Sequence, residues 1–169
     1  MRFIKSKQSA LLKQADKLAR AQDQLERFCA YQERSLHEVE QKLRKIDLSP
    51  REQQELIAYL REENFLNEER FARAFVRGKF RIKLWGRKKI AAELYRHKVG
   101  SGIIEAALDA EIAPEAYLEN IHHLIRRKQA TLPVDLEGFV LRTKLLNYLA
   151  QKGYETDLIL QALPEVLPE

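Results

Sequence analysis

Apolar residues recur every three to four positions along almost the whole chain, and no stretch alternates apolar and polar in the two-residue rhythm of a strand. The pattern predicts helices throughout. Residues 8–31 form one, with Leu11, Leu12, Ala15, Leu18, Leu25 and Phe28 on its apolar side. A second starts at Ser35, with Leu36, Val39, Leu43 and Ile46 as its stripe, and a third opens on Ser49-Pro50-Arg51-Glu52, with Leu56, Ile57 and Leu60 inward. Ser35 with Glu38, and Ser49 with Glu52, have the spacing of a capping box, in which hydroxyl and carboxylate satisfy each other's backbone amides. Proline fits the first helical position because its missing N–H is not needed there.

Asn67 is placed to cap a long helix reaching about Trp85, where Gly86 breaks it. Helices then follow from Arg87 to about Lys98, around Ile103–Leu108, and from Pro114 to about Lys128. After a loop at Thr131-Leu132-Pro133, Asp135 is the expected N-cap of a helix carrying Val140, Leu145 and Leu149 and ending at Gly153. Glycine there suits a left-handed C-terminal cap. A last helix holds Leu158, Ile159 and Leu163 before Pro164.

These elements repeat. Val39-x3-Leu43, Ile90-x3-Leu94 and Leu145-x3-Leu149 hold the same place in three middle helices, and Leu56-x3-Leu60, Ile104-x3-Leu108 and Ile159-x3-Leu163 in three closing helices. The expected fold is all-α: three tandem three-helix repeats, helix-turn-helix-like units in an elongated, curved array, with an N-terminal basic helical extension. The boundaries read as 1–22 for the extension, then 23–66, 67–112 (basic) and 113–169 for the repeats.

Composition sharpens this picture. A third of the residues are charged, and there are six glycines and five prolines, which suits solvated helices rather than sheets or disorder. The single cysteine, Cys29, excludes an internal disulfide framework and reads as a small core residue in a reducing compartment. No apolar run is long enough to span a membrane and no signal-peptide pattern is present, so a monomeric cytoplasmic protein is expected. The net charge of +5 conceals an asymmetry: residues 70–98 hold eleven Lys and Arg against one Glu, and the segments 26–69 and 99–169 are both acidic. Such a basic island suits a polyanion or an acidic protein surface.

The stretch Phe65-Leu66-Asn67-Glu68-Glu69-Arg70-Phe71-Ala72-Arg73-Ala74-Phe75-Val76-Arg77 resembles the signature of the RecX family. Gly86-Arg87-Lys88-Lys89-Ile90-x3-Leu94 is similar to the family's glycine-started second helix, and Lys144 through Tyr154 to its third-unit helix and turn. The resemblance spans roughly residues 25–163, and Trp85 before Gly86 departs from the small or polar residues usual there. It implies a regulator that binds the RecA recombinase filament and modulates its ATP hydrolysis, strand exchange and co-protease activity in DNA repair, recombination and the SOS response. Inhibition is the expected sign.

On a helix over 67–85, Phe71, Phe75, Gly78, Ile82 and Trp85 gather on one face as a core stripe. Val76, Phe80 and Leu84 form a second apolar line, flanked by Arg70, Arg73, Arg77 and Arg81 on one side and by Lys79 and Lys83 on the other. That line either packs against a neighbouring unit or docks into an acidic groove. Arg87, Lys88 and Lys89 stand on a first helical turn, where cations oppose the helix dipole and local stability gives no reason for three of them. Arg126 and Arg127, at a helix C-terminus, extend the candidate surface. The partner-binding candidates are therefore Arg70, Arg73, Arg77, Lys79, Arg81, Lys83, Arg87, Lys88, Lys89, Arg126 and Arg127.

No catalytic constellation, cofactor motif or metal-ligand spacing is found: His122 and His123 diverge around a helix, and His37 and His97 stand alone. An enzyme is not expected. The rival reading is a non-specific DNA-binding helical module acting without RecA. Residues 68–98 contain no Asn or Gln, which argues against base-specific readout.

Overall fold

A computed structural model describes the backbone of residues 2–167, and the side chains of residue 8 and of residues 11–167. The basic side chains expected in the extension at Arg2, Lys5 and Lys7 lie outside the described ones. Among the described residues there are nine helices and no strand. The chain divides into two compact units, 1–71 and 72–169.

The first unit contains α1 (Arg2–Tyr31), α2 (Leu36–Leu43) and α3 (Pro50–Glu62). Both expected capping boxes are present. Ser35 Oγ accepts from the Glu38 amide at 3.2 Å and the Glu38 carboxylate accepts from the Ser35 amide at 2.9 Å. At Ser49 and Glu52 the same two bonds measure 3.3 and 2.8 Å. The core is built from Ala21, Leu25, Cys29, Val39, Leu43, Leu56 and Leu60, closed by Leu48 and Leu66. Cys29 is a buried free thiol, and burial pushes it above the usual thiol range. Leu11, Leu12 and Ala15, expected on the buried stripe, are exposed instead. The reason is reach: the core against which α1 packs begins only at Leu18 and Ala21. Gln14 and Lys17 bond to Glu52 and Asp47 at 2.6 and 2.5 Å, so polar contacts tie this stretch to the start of α3.

The division between units falls inside α4 (Glu68–Arg81), and the second unit continues with α5 (Arg87–Arg96), α6 (Ser101–Glu111), α7 (Pro114–Gln129), α8 (Gly138–Lys152) and α9 (Thr156–Val166). Its middle-helix pairs, Ile90 with Leu94 and Leu145 with Leu149, are all completely buried, as are Val39 and Leu43 in the first unit. The three-helix repeat is therefore a packing repeat as well as a sequence one. Truncating any of these leucines to alanine leaves a cavity costing about 2–5 kcal/mol.

Turn chemistry repeats too. Gly153 closes α8 in the left-handed region (φ 93°), and Lys98 takes the same conformation after α5 (φ 60°). In each, the next amide reaches back five residues, Tyr154 to the Leu149 carbonyl at 3.2 Å and Val99 to the Leu94 carbonyl at 3.1 Å.

Three expected boundaries differ. Helix α4 ends at Arg81 rather than near Trp85, because Leu84 takes a left-handed backbone (φ 51°) and the Trp85 amide folds back to the Lys79 carbonyl at 3.1 Å. Asp135 does not cap α8: the N-cap is Glu137, with no side-chain bond. Helix α9 runs through Pro164 to Val166. Proline removes one amide there, but the carbonyl left open belongs to Leu160, whose side is 53% exposed.

Candidate partner-binding surface

The start of α4 is built as expected. Asn67 Oδ1 accepts from the Arg70 amide at 2.9 Å, and Glu68 and Glu69 occupy the first turn, where the helix dipole favours anions. The side chains beyond that turn divide into two classes.

The first class is bound into the fold. Within the first unit, Arg70 Nε donates to Glu33 at 2.5 Å, while its two terminal nitrogens donate to the Asn64 side chain and carbonyl at 3.0 and 2.8 Å. In the second unit, Arg73 Nε donates to one oxygen of Glu111 at 2.9 Å, and Arg77 holds both oxygens at 2.8 and 3.0 Å. The Glu111 side chain, at the end of α6, is only 5% exposed. Arg77 first, then Arg73, hold its carboxyl down to about 2 against the cost of burial, and the pairing raises the Arg77 guanidinium. These three arginines were expected to face a partner. Arg73 and Arg77 match the buried Glu111 carboxylate, which needs donors, while about half of each arginine side chain stays exposed.

Arg87 belongs with them. It is half-buried, its guanidinium lies 4.6 Å over the Tyr117 ring, and one terminal nitrogen reaches the Ile112 carbonyl at 3.5 Å.

The apolar lines also change roles. Ala72, Val76 and Phe80 are the buried face of α4 in the second unit, and Phe80 stacks on Tyr117 at 6.1 Å. Of the stripe expected inside, Phe71 is buried, Phe75 and Trp85 are half-buried, and Ile82, at the outer corner, is 77% exposed. The early stop at Arg81 accounts for Ile82 and Trp85, which lie beyond the helix and leave its register.

The second class surrounds this outer corner. Arg81, Lys83 and Lys88 are exposed and form no ion pair among the described residues. Lys79 and Lys89 place their ammonium groups 4.9 and 4.6 Å from the Trp85 ring centre. Such contacts contribute about 0.5–1 kcal/mol at half-exposed sites and hold the lysine stems in place. Lys89 also donates to the Gln151 carbonyl at 3.4 Å.

The platform beneath these cations is a backbone junction. The first amides of α5 have no local cap, because Gly86 has no side chain. The Gly86 amide donates to the Lys152 carbonyl at 2.9 Å, the Lys88 amide to the Gly153 carbonyl at 3.1 Å, and the Arg87 amide to Tyr117 Oη at 3.0 Å. Tyr117 in turn donates to Glu155 at 2.5 Å, and burial followed by this carboxylate pushes its phenol well above the usual range. The negative end of α8 thus meets the positive end of α5, which offsets the dipole penalty of Arg87, Lys88 and Lys89. The approach demands two glycines: a Cβ on Gly86 would lie 2.3 Å from the Gly153 carbonyl, and one on Gly153 would lie 2.3 Å from Lys89 Cβ.

The sequence reading missed a neighbouring cluster. Lys128 and Lys152 each lie 5.4 Å from the Tyr148 ring centre, and Arg127 donates to its hydroxyl at 3.3 Å. The spacing Tyr148-x3-Lys152 on one helix face was the available signal. Arg126 is exposed and joins neither aromatic group through a described contact. Glu111, Tyr117 and Glu155 carried no local signal, because their partners lie 30 to 38 residues away. No group of three or more potential metal ligands occurs among the described residues, and no helix among them is long and apolar enough to cross a membrane.

Most of the chain matches known proteins. Residues 67–108 match the model of the RecX second three-helix domain, and residues 115–163 that of the RecX third three-helix domain. Curated relatives include the regulatory protein RecX of Bacillus cytotoxicus, 29% identical over 84% of this chain and 52% of that protein. The regulatory protein RecX of Clostridium botulinum is 31% identical over 66% of this chain and 51% of that one. The chain spans about half the length of these curated relatives. The crystal structure of RecX from Lactobacillus salivarius superposes with a TM-score of 0.81 at 25% identity, covering 90% of this chain and 97% of that one. With two adjoining domain models matched in order and the all-helical repeat shared with a solved member, this chain belongs to the RecX family.

Proposed function

We propose that this protein is a non-enzymatic cytoplasmic regulator that binds the RecA recombinase filament and restrains its ATP hydrolysis, strand exchange and co-protease activity. Family membership supports the class of function. The observation that carries the contact is the outer corner of the second unit. There Arg81, Lys83 and Lys88 stand exposed and without ion pairs among the described residues, within four positions of Trp85, whose ring is flanked by Lys79 and Lys89. Cations fixed by stems on an aromatic ring, beside an exposed Ile82, suit a surface that is acidic and partly apolar. Arg70, Arg73, Arg77 and Arg87, engaged by Glu33, Glu111 and Tyr117, serve the fold rather than the contact. Arg126, Arg127 and the lysines around Tyr148 extend it.

The test measures binding of the protein to bare DNA, to free RecA and to the assembled filament, together with RecA ATP hydrolysis. The filament is the expected preferred target, with hydrolysis reduced. Combined alanine substitution at Arg81, Lys83 and Lys88 is expected to weaken filament binding about tenfold at low salt, from about 0.5 kcal/mol per lost pair. Affinity for bare DNA equal to that for the filament would instead establish the non-specific DNA-binding module, and indifference to all three targets would overturn the regulator reading.

A further inference from the structure

The first unit holds a groove that the filament contact proposed above does not use. Three adjoining depressions follow α1 beside α2, and all three include Gln24. The α1 residues along the groove run from Lys13 to Tyr31 at helical spacing, about 27 Å at 1.5 Å per residue. Ala21 and Ile46 form an apolar floor, beside a Phe28 ring whose face Arg34 and Lys42 cover. The rim holds seven Lys and Arg against Asp16, Asp23 and Glu38.

Two of those three carboxylates are already engaged. Asp23 accepts from Arg27 at 3.0 Å, and Glu38 closes the Ser35 capping box and accepts from Arg34 at 3.2 Å. By contrast Lys13, Arg20 and Lys45 form no ion pair among the described residues. Lys42 lies 4.5 Å over the Phe28 ring, with its charge turned toward the groove it lines. The groove thus has uncompensated positive charge along an apolar line.

We propose that this groove receives an acidic amphipathic helix of a partner protein, one apolar side on the floor and carboxylates against the rim. The length suits about four to five helical turns, and a helix in a groove is anchored by apolar residues spaced three and four apart. Charge complementarity fixes the sign of the partner. A nucleic-acid strand fits less well for two reasons. The face of Phe28 is already covered by Arg34 at 3.9 Å and Lys42, which leaves no open ring for a base. Asp16, which forms no ion pair among the described residues, also interrupts the rim, where a continuous phosphate chain would be repelled and a patterned peptide would not.

The test uses the full chain and fluorescence anisotropy with three probes. These are a synthetic acidic amphipathic peptide of about 16 residues, the same composition scrambled to destroy its apolar stripe, and a thymidine oligonucleotide of similar length. The patterned peptide is expected to bind at least tenfold more tightly than the scrambled one. Charge reversal by Arg20→Glu with Lys45→Glu, at exposed positions outside the core, is expected to weaken it at least tenfold. Gln24→Trp, which fills the middle of the groove without changing charge, is expected to do the same. Lys83→Glu in the second unit is expected to leave this binding unchanged while weakening the filament contact, so the two proposals fail separately. Equal binding of both peptides, retention of binding by the groove variants, or tighter binding of the oligonucleotide would each overturn the proposal.

Discussion

Helices in the two units begin in different ways. In the first unit, α2 and α3 are started by their own sequence: a serine and a glutamate three residues on close each amide–hydroxyl exchange. In the second, α5 starts on a glycine, and its first amides are satisfied by the backbone of Lys152 and Gly153 and by Tyr117. A local cap uses side chains at the helix start; a tertiary cap leaves them free. That freedom is what permits Arg87, Lys88 and Lys89 to occupy a first turn. Lys88 stays exposed on that turn, and stability becomes dependent on an approach between two glycines.

The sharpest way to break this contrast is Gly86→Ala. Its φ of −78° is one alanine adopts freely, so the cost is purely the collision with Gly153. A loss of about 3 kcal/mol in urea unfolding is expected. Substituting Ser35 by alanine removes a local cap and is expected to cost about 1 kcal/mol. Equal losses for the two would erase the distinction.

Next in size is Glu111. Glu111→Ala leaves Arg73 and Arg77 without their shared acceptor and is expected to cost about 2 kcal/mol, less than for a fully buried pair because both arginines are half-exposed. The same residue sets an acid limb. Its carboxyl titrates at about 2 in the folded protein, below its ordinary value of 4.5. The stabilisation is therefore complete above pH 4.5 and is lost as pH falls toward 2. In Glu111→Gln the fall in urea midpoint between pH 5 and pH 3 should be shallower than in the parent protein.

A smaller effect of opposite sign is expected at Lys98, a left-handed position where Gly153 stands in the following repeat. Lys98→Gly should stabilise by about 0.5 kcal/mol by calorimetry, since glycine adopts this backbone without strain.

What could be read from the sequence follows the same divide. Ser35 with Glu38, Ser49 with Glu52, Asn67, and Gly153 at a helix end act within a few residues, and each appears in the structure where its spacing places it. The repeated apolar pairs were legible for the same reason, since each helix must bury one stripe. Glu111 carries no local sign of its role because its arginines are 34 and 38 positions away. The end of α4 was misplaced because Leu84 carries no sign of a left-handed backbone, and that error put Ile82 and Trp85 on a helical stripe they do not join. Charge counting found the basic segment but could not sort it, since Arg77 and Arg81 differ only in what tertiary packing places opposite them.

The most direct test of that sorting compares two variants side by side, Arg73→Ala with Arg77→Ala and Arg81→Ala with Lys83→Ala and Lys88→Ala, each measured for thermal stability and for affinity to the RecA filament. The first is expected to lower the melting temperature by several degrees, following a loss of about 2 kcal/mol. The second is expected to leave the melting temperature within a degree or so and to weaken filament binding about tenfold at low salt. If the second variant bound the filament as tightly as the parent protein, or if the first lost affinity with no loss of stability, the division into supporting and contacting cations would be wrong.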